Sequence, residues 1–149
     1  MEPLNIGLLL FVPYRAMEAR VFADLAAAGF DDFTPAQARV FQRIAPHGSR
    51  LTDLAAQAGI TKQSAGFLVD QLERSGYVER VPDPEDGRAR LVRIADRGAR
   101  SVAASRAIVA QVEAEWTEHL GERRMLQLRE ILTDLREITD PWHDVPGAA

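Results

Sequence analysis

Residues 80–94 read RVPDPEDGRARLVRI and hold four arginines, Arg80, Arg88, Arg90 and Arg93. Interleaved with them are Val81, Leu91, Val92 and Ile94, which favour strands. Asp86-Gly87 is a turn signal, and Pro82 and Pro84 stiffen the chain around it. Such a stretch makes a short hairpin with guanidinium groups at its tip and on its return strand. A hairpin of this kind reaches the minor groove of a duplex, where an arginine senses groove width and negative potential.

Other chemistries lack the residues they need. The sequence has no cysteine, which removes disulfides, thiolate nucleophiles and cysteine zinc sites together. His47, His119 and His143 are scattered without ligand spacing, so no metal is expected. There is no glycine-rich phosphate loop and no nucleophile–base motif, so neither an enzyme nor a bound cofactor is expected.

The totals fit one globular domain: 149 residues, 46% apolar and 27% charged. A net charge of −4 argues against an indiscriminate nucleic-acid coat. The charge is uneven. Residues 43–100 hold ten basic against eight acidic residues, +2, and the remainder holds eight against fourteen, −6. The opening run MEPLNIGLLLFVPYR is short and lacks a basic leader, which makes it a poor secretion signal. No run approaches the roughly 20 apolar residues of a membrane span. A cytoplasmic location is the expectation.

The elements that must carry the hairpin are mostly helical. Residues 4–28 form a long helical pattern that Pro13 should kink or restart, with Gly29 as its stop. Thr34, Pro35 and Gln37 give a capping box with proline at the first helical position, and Pro46 closes that helix. Thr52 is the expected cap of a short helix that turns Leu54, Ala55 and Ala58 inward and ends at Gly59. Two residues later Thr61 caps a second helix, with Ala65, Leu68, Val69 and Leu72 at helical spacing and Gly76 at its end. Two helices joined by a short glycine-containing turn are a helix-turn-helix or an ordinary tight helical hairpin. Strands 77–81 and 89–94 follow, then helices over 96–120 and 122–138 with apolar stripes. The segment after 140 reads as a loose tail.

A helix-turn-helix followed at once by a hairpin with a basic tip is a winged helix. Its second helix suits the major groove and its hairpin the minor groove. The expected fold is therefore mainly α with a small β-hairpin wing, a winged helix-turn-helix flanked by further helices.

Residues 51–98, LTDLAAQAGITKQSAGFLVDQLERSGYVERVPDPEDGRARLVRIADRG, resemble the MarR (multiple antibiotic resistance regulator) transcription factors, above all in the LER.GYVER..DP.DGRA portion. The resemblance implies a homodimer that binds a palindromic double-stranded operator, a repressor more often than an activator, with a small-molecule effector. It implies that residues 1–33 and 99–140 are dimerisation helices, 34–98 the DNA-binding part and 141–149 a tail, all within one structural domain. It places Gln63 and Ser64 near base edges and Thr61 and Lys62 on phosphates or flanking contacts. Arg88 stands at the wing-tip position with Asp86 orienting it, and Arg90 is a second wing contact. An effector pocket would draw on Phe11, Tyr14, Arg15, Phe41 and Arg43. Two departures stand out: Gly66 and Phe67 replace a polar residue and an arginine; Gly66 either lets the helix backbone approach DNA or relieves crowding, and Phe67 either touches a thymine methyl or, the favoured expectation, lies in the core. Ala95 stands where a threonine usually caps the next helix, leaving Asp96 to cap one residue later. The rival reading is a winged-helix protein-interaction module, without DNA binding, whose hairpin docks on an acidic partner.

Overall fold

A computed structural model describes residues 1–147. Among these residues six helices and one hairpin follow in the order α1 (Ile6–Ala27), α2 (Pro35–Phe41), α3 (Leu51–Ala58), α4 (Lys62–Arg74), β1 (Val78–Pro82), β2 (Arg90–Ile94), α5 (Asp96–Leu120) and α6 (Glu122–Thr139). The mainly helical architecture with a small hairpin wing is as expected. Residues 148 and 149 of the expected tail lie outside the described residues.

Local chemistry sets most boundaries. The Thr34 side chain accepts from the Gln37 amide at 3.2 Å, and the Gln37 side chain accepts from the Thr34 amide at 3.1 Å. This reciprocal cap satisfies two otherwise orphaned donors. Gly59 ends α3 in the left-handed region at φ 68°, which a residue with a Cβ adopts only at a cost. Thr61 caps α4 by accepting from the Ser64 amide at 3.0 Å.

Tertiary contacts overrule local signals elsewhere. α3 begins at Leu51 with Arg50 as its uncapped flanking residue, so Thr52 is inside the helix rather than its cap. The cause is next door: Ser49 bridges Val92 through two backbone hydrogen bonds of 2.9 and 2.8 Å, which fixes where the chain enters α3. Likewise α5 starts with Ala95 as the flanking residue and Asp96 in the first turn, where its charge favours the helix dipole without capping it. α2 ends at Phe41, well before Pro46. α1 runs through Pro13 unbroken; the proline removes one ladder donor but does not end the helix.

The core sits under the wing. Val40, Phe41, Ile44, Leu54, Val69, Leu72, Tyr77, Val78 and Val92 form one buried cluster from α2, α3, α4, both strands and the turns after α2 and before β1. Phe33 stacks edge-on against both Tyr77 (4.9 Å) and Phe41 (5.2 Å). Strand pairing is antiparallel, with Val78 opposite Ile94 and Pro82 opposite Arg90. α5 passes so close to this sheet that a Cβ on Gly98 would run into the Tyr77 carbonyl oxygen.

One buried polar group ties three regions together. The Tyr77 hydroxyl donates to Asp32 at 2.5 Å, and Arg97 reaches Asp32 at 3.0 Å, the Ser75 carbonyl at 2.6 Å and the Tyr77 ring at 4.4 Å. Burial, then the Asp32 hydrogen bond, pushes the Tyr77 phenol above its ordinary pKa. Burial would raise Asp32 as well, but the hydrogen bonds from Tyr77 and Arg97 outweigh it, and the carboxyl is held below its usual range.

The terminal helices are a different kind of structure. Leu8, Leu9, Leu10, Phe11 and Val12 are all at least 43% exposed on α1. α6 buries none of its 18 residues, and Leu126, Ile131 and Ile138 stand out from it.

Candidate nucleic-acid interface

α4 buries Ala65, Val69 and Leu72 against the core, which turns its opposite side outward. Thr61, Lys62, Gln63 and Ser64 are all exposed at its start. Thr61 is both the cap and a partner of Ser64, to whose hydroxyl it donates at 3.0 Å. The side chains of Lys62 and Gln63 have no hydrogen-bond partner among the described residues. This end of α4 therefore offers a cation, an amide and a hydroxyl above the unpaired first amides of a helix.

Phe67 is a correction to the sequence reading. It is 60% exposed, because it lies on the far side of α4 from the buried stripe.

The wing tip is braced by a pair that sequence reasoning missed. Arg50 donates to Asp83 from Nε at 3.1 Å and from a terminal nitrogen at 2.8 Å. Asp83 is 7% exposed, and it also accepts from the Glu85 amide at 2.9 Å. That amide hydrogen bond and then Arg50 hold the Asp83 carboxyl below its usual pKa. Asp86, expected to orient Arg88, accepts from the Arg88 backbone amide at 3.1 Å and lies 3.9 Å from Arg50. It shapes the turn rather than gripping the guanidinium. Arg88 itself is exposed, and its side chain has no ion-pair or hydrogen-bond partner among the described residues.

The other wing arginines are engaged. Arg90 donates to the Arg80 carbonyl at 3.1 Å, and Arg93 pairs with Glu79 at 2.6 Å. Arg80 reaches back to α4, to Asp70 at 2.8 Å and Glu73 at 2.9 Å. Both acidic side chains beside the outward face of α4 thereby share one cation. A signal for Asp83 was present in the Asp-Pro-Glu-Asp run, but nothing local in the sequence points to Arg50 as its partner, 33 positions away.

A cleft of about 430 Å³ lies between α1, α2 and α5. Tyr14 and Phe41 line it, as expected, together with Phe22, Val102 and Val109. Phe11, Arg15 and Arg43 do not. Phe11 is 50% exposed, and Arg15 leans over its ring at 5.6 Å. Arg43 is drawn instead to Asp140 at 3.3 Å. The Tyr14 hydroxyl donates to Glu18 at 2.8 Å, which raises the phenol pKa. No cluster of metal-ligating side chains occurs among the described residues, and no helix among them is long and apolar enough to cross a membrane.

The sequence pattern of the MarR family matches residues 31–89, from the loop after α1 to the wing tip. The segment that carries α2, α3, α4 and the wing thus bears the MarR-family pattern. FarR, an HTH-type transcriptional regulator of Neisseria gonorrhoeae, is 28% identical over 138 residues, 92% of this chain and 91% of its own length. The transcriptional regulator Tm0710 of Thermotoga maritima has a similar structure at 25% identity, TM-score 0.64, over 89% of this chain and 92% of that one. MarR of E. coli shares the fold at 24% identity, TM-score 0.72, over 91% and 98% of the two chains. The pattern match and these regulator relatives support a winged-helix, DNA-binding transcriptional regulator.

Proposed function

We propose that the protein is a homodimeric, sequence-specific repressor in which α4 reads the major groove and the wing reaches the minor groove of a palindromic operator. In this reading Gln63 and Ser64 approach base edges, Thr61 and Lys62 meet phosphates or flanking positions, and Arg88 enters the minor groove with Arg90 beside it. Residues 34–98 are the DNA-binding part, and 1–33 with 99–140 the dimerisation part. The observation that carries it is the pairing of an exposed, polar α4 start with a wing tip whose Arg88 has no partner of its own among the described residues.

A second copy is supported by the exposed apolar surface of α1 and α6. A helix that is apolar on every side, as α1 is over Ile6–Val12, normally lies buried. Half-site centres one DNA turn apart, about 34–36 Å, follow from two such modules on a two-fold axis. The cleft beside Tyr14 and Phe41 is the place for an apolar effector that relieves repression, since it separates the dimerisation helices from the DNA-binding part.

Selection of bound duplexes from random DNA, with gel-shift titration of the enriched sequence, tests this. Arg88→Ala is expected to weaken operator binding and to reduce the slope of log affinity against log salt by about one. An unchanged titration removes the wing from the interface. Absence of any enriched sequence defeats operator recognition and favours the protein-docking alternative.

A further inference from the structure

α4 carries one large apolar side chain that its packing does not use. At about 100° per residue, Phe67 sits roughly 160° around the helix from Ala65, and it is 60% exposed where Ala65 is at 0%. It shares its face with Gln63, one turn earlier, and Asp70, one turn later. An exposed phenyl ring forgoes the burial that makes apolar side chains stabilising.

Its neighbour Gly66 is equally unhelpful to the fold. A Cβ there would meet only the Leu51 side chain at 3.6 Å, an ordinary contact. Alanine would therefore fit and would strengthen the helix. Two adjacent residues thus weaken or waste the same turn of α4, and both border the outward face. Arg80 bridges the two carboxylates beside that face, Asp70 and Glu73, which offsets one of their two negative charges.

Among the base edges of the major groove, the apolar feature is the C5-methyl of thymine. We propose that Phe67 is a specificity-determining residue that packs on a thymine methyl in each half-site, with Gly66 letting the helix backbone approach the same step. This rests on the reading of α4 as the major-groove helix. It commits α4 to recognition by apolar contact at a position where a cationic side chain would instead select guanine.

The full-length protein is used to select duplexes from random DNA, and each thymine of the enriched duplex is then replaced in turn by deoxyuridine, which lacks only the methyl. Wild-type binding is expected to weaken about four-fold at one thymine in each half-site, the value of burying one methyl-sized group. Phe67→Ala is expected to bind the thymine and uracil duplexes equally, and Phe67→Leu to keep part of the discrimination. Circular dichroism confirms that each variant is folded. Uniform binding by the wild type across all uracil duplexes overturns the proposal while leaving operator recognition intact. So does a Phe67→Ala protein that still discriminates, or one altered only in its oligomeric state. A selection that enriches nothing overturns operator recognition itself, and Phe67 reading with it.

Discussion

The winged-helix part and the terminal helices differ in how completely each is satisfied by its own chain. In the first, nine side chains form a buried cluster, and Tyr77, Asp32 and Arg97 satisfy one another across three segments. In the second, α6 buries nothing and the start of α1 exposes leucine after leucine. Removal of one large core side chain from the first should act within a single chain. The same change in the second should act through association. In the proposed dimer, the first region folds within one chain and the second assembles two.

The largest expected effect breaks the second region. Leu132→Asp on α6, or a paired change at Ile131, should convert the dimer to monomer by light scattering and cut operator affinity on the order of 100-fold, because two linked half-site contacts become one. Retention of a dimer at micromolar concentration would remove α6 from the interface.

Next comes a matched pair that sharpens the contrast. Leu72 is fully buried, and Leu72→Ala should cost about 2–5 kcal/mol in urea unfolding at any protein concentration. Leu135 is 37% exposed, and Leu135→Ala should lower apparent stability in a way that depends on concentration.

A smaller effect tests the polar lock. Tyr77→Phe removes a hydrogen bond to a carboxylate and should cost about 2 kcal/mol at neutral pH. Its pH signature has a definite sign. The folded state holds the phenol proton more tightly than the unfolded chain does. Wild-type stability is therefore fully present below the unfolded value of about 10 and falls as pH rises through it toward the folded value. The Phe variant should lose the Tyr77 share of this alkaline limb in thermal melts and keep that of Tyr14.

The smallest effect lies at the seam between wing and helix. Arg80→Ala leaves Asp70 and Glu73 without their cation and should weaken DNA binding about five-fold through repulsion of phosphate. Asp70→Asn in the same background should restore part of the loss.

Much of the first region was legible in the sequence because its signals are local. Thr34 with Gln37, Thr61 and Gly59 each act within a few residues, and each does what its spacing predicts. The hairpin is found within one residue of its expected ends. What was hidden is non-local. Thr52 loses its capping role because Ser49 is already bound to Val92. Arg50 and Asp83, or Arg97 and Asp32, meet only after the chain has folded back, and no periodicity announces such pairs. Phe67 differs for another reason: its apolarity suggests burial, but the stripe of Ala65, Val69 and Leu72 already fills the inward side. For the cleft, Tyr14 and Phe41 belong to it, but Arg43 is claimed by Asp140 from the far end of the chain.

The start of α4 has a practical side. Lys62 is the sole lysine of the sequence, and it stands exposed beside Gln63 and Ser64. An amine-directed acylating reagent at high pH thus finds a single side-chain target in the whole chain, and that target sits at the proposed reading head. Protection of Lys62 by a bound duplex would turn one mass increment into a direct footprint, obtained without any engineered label.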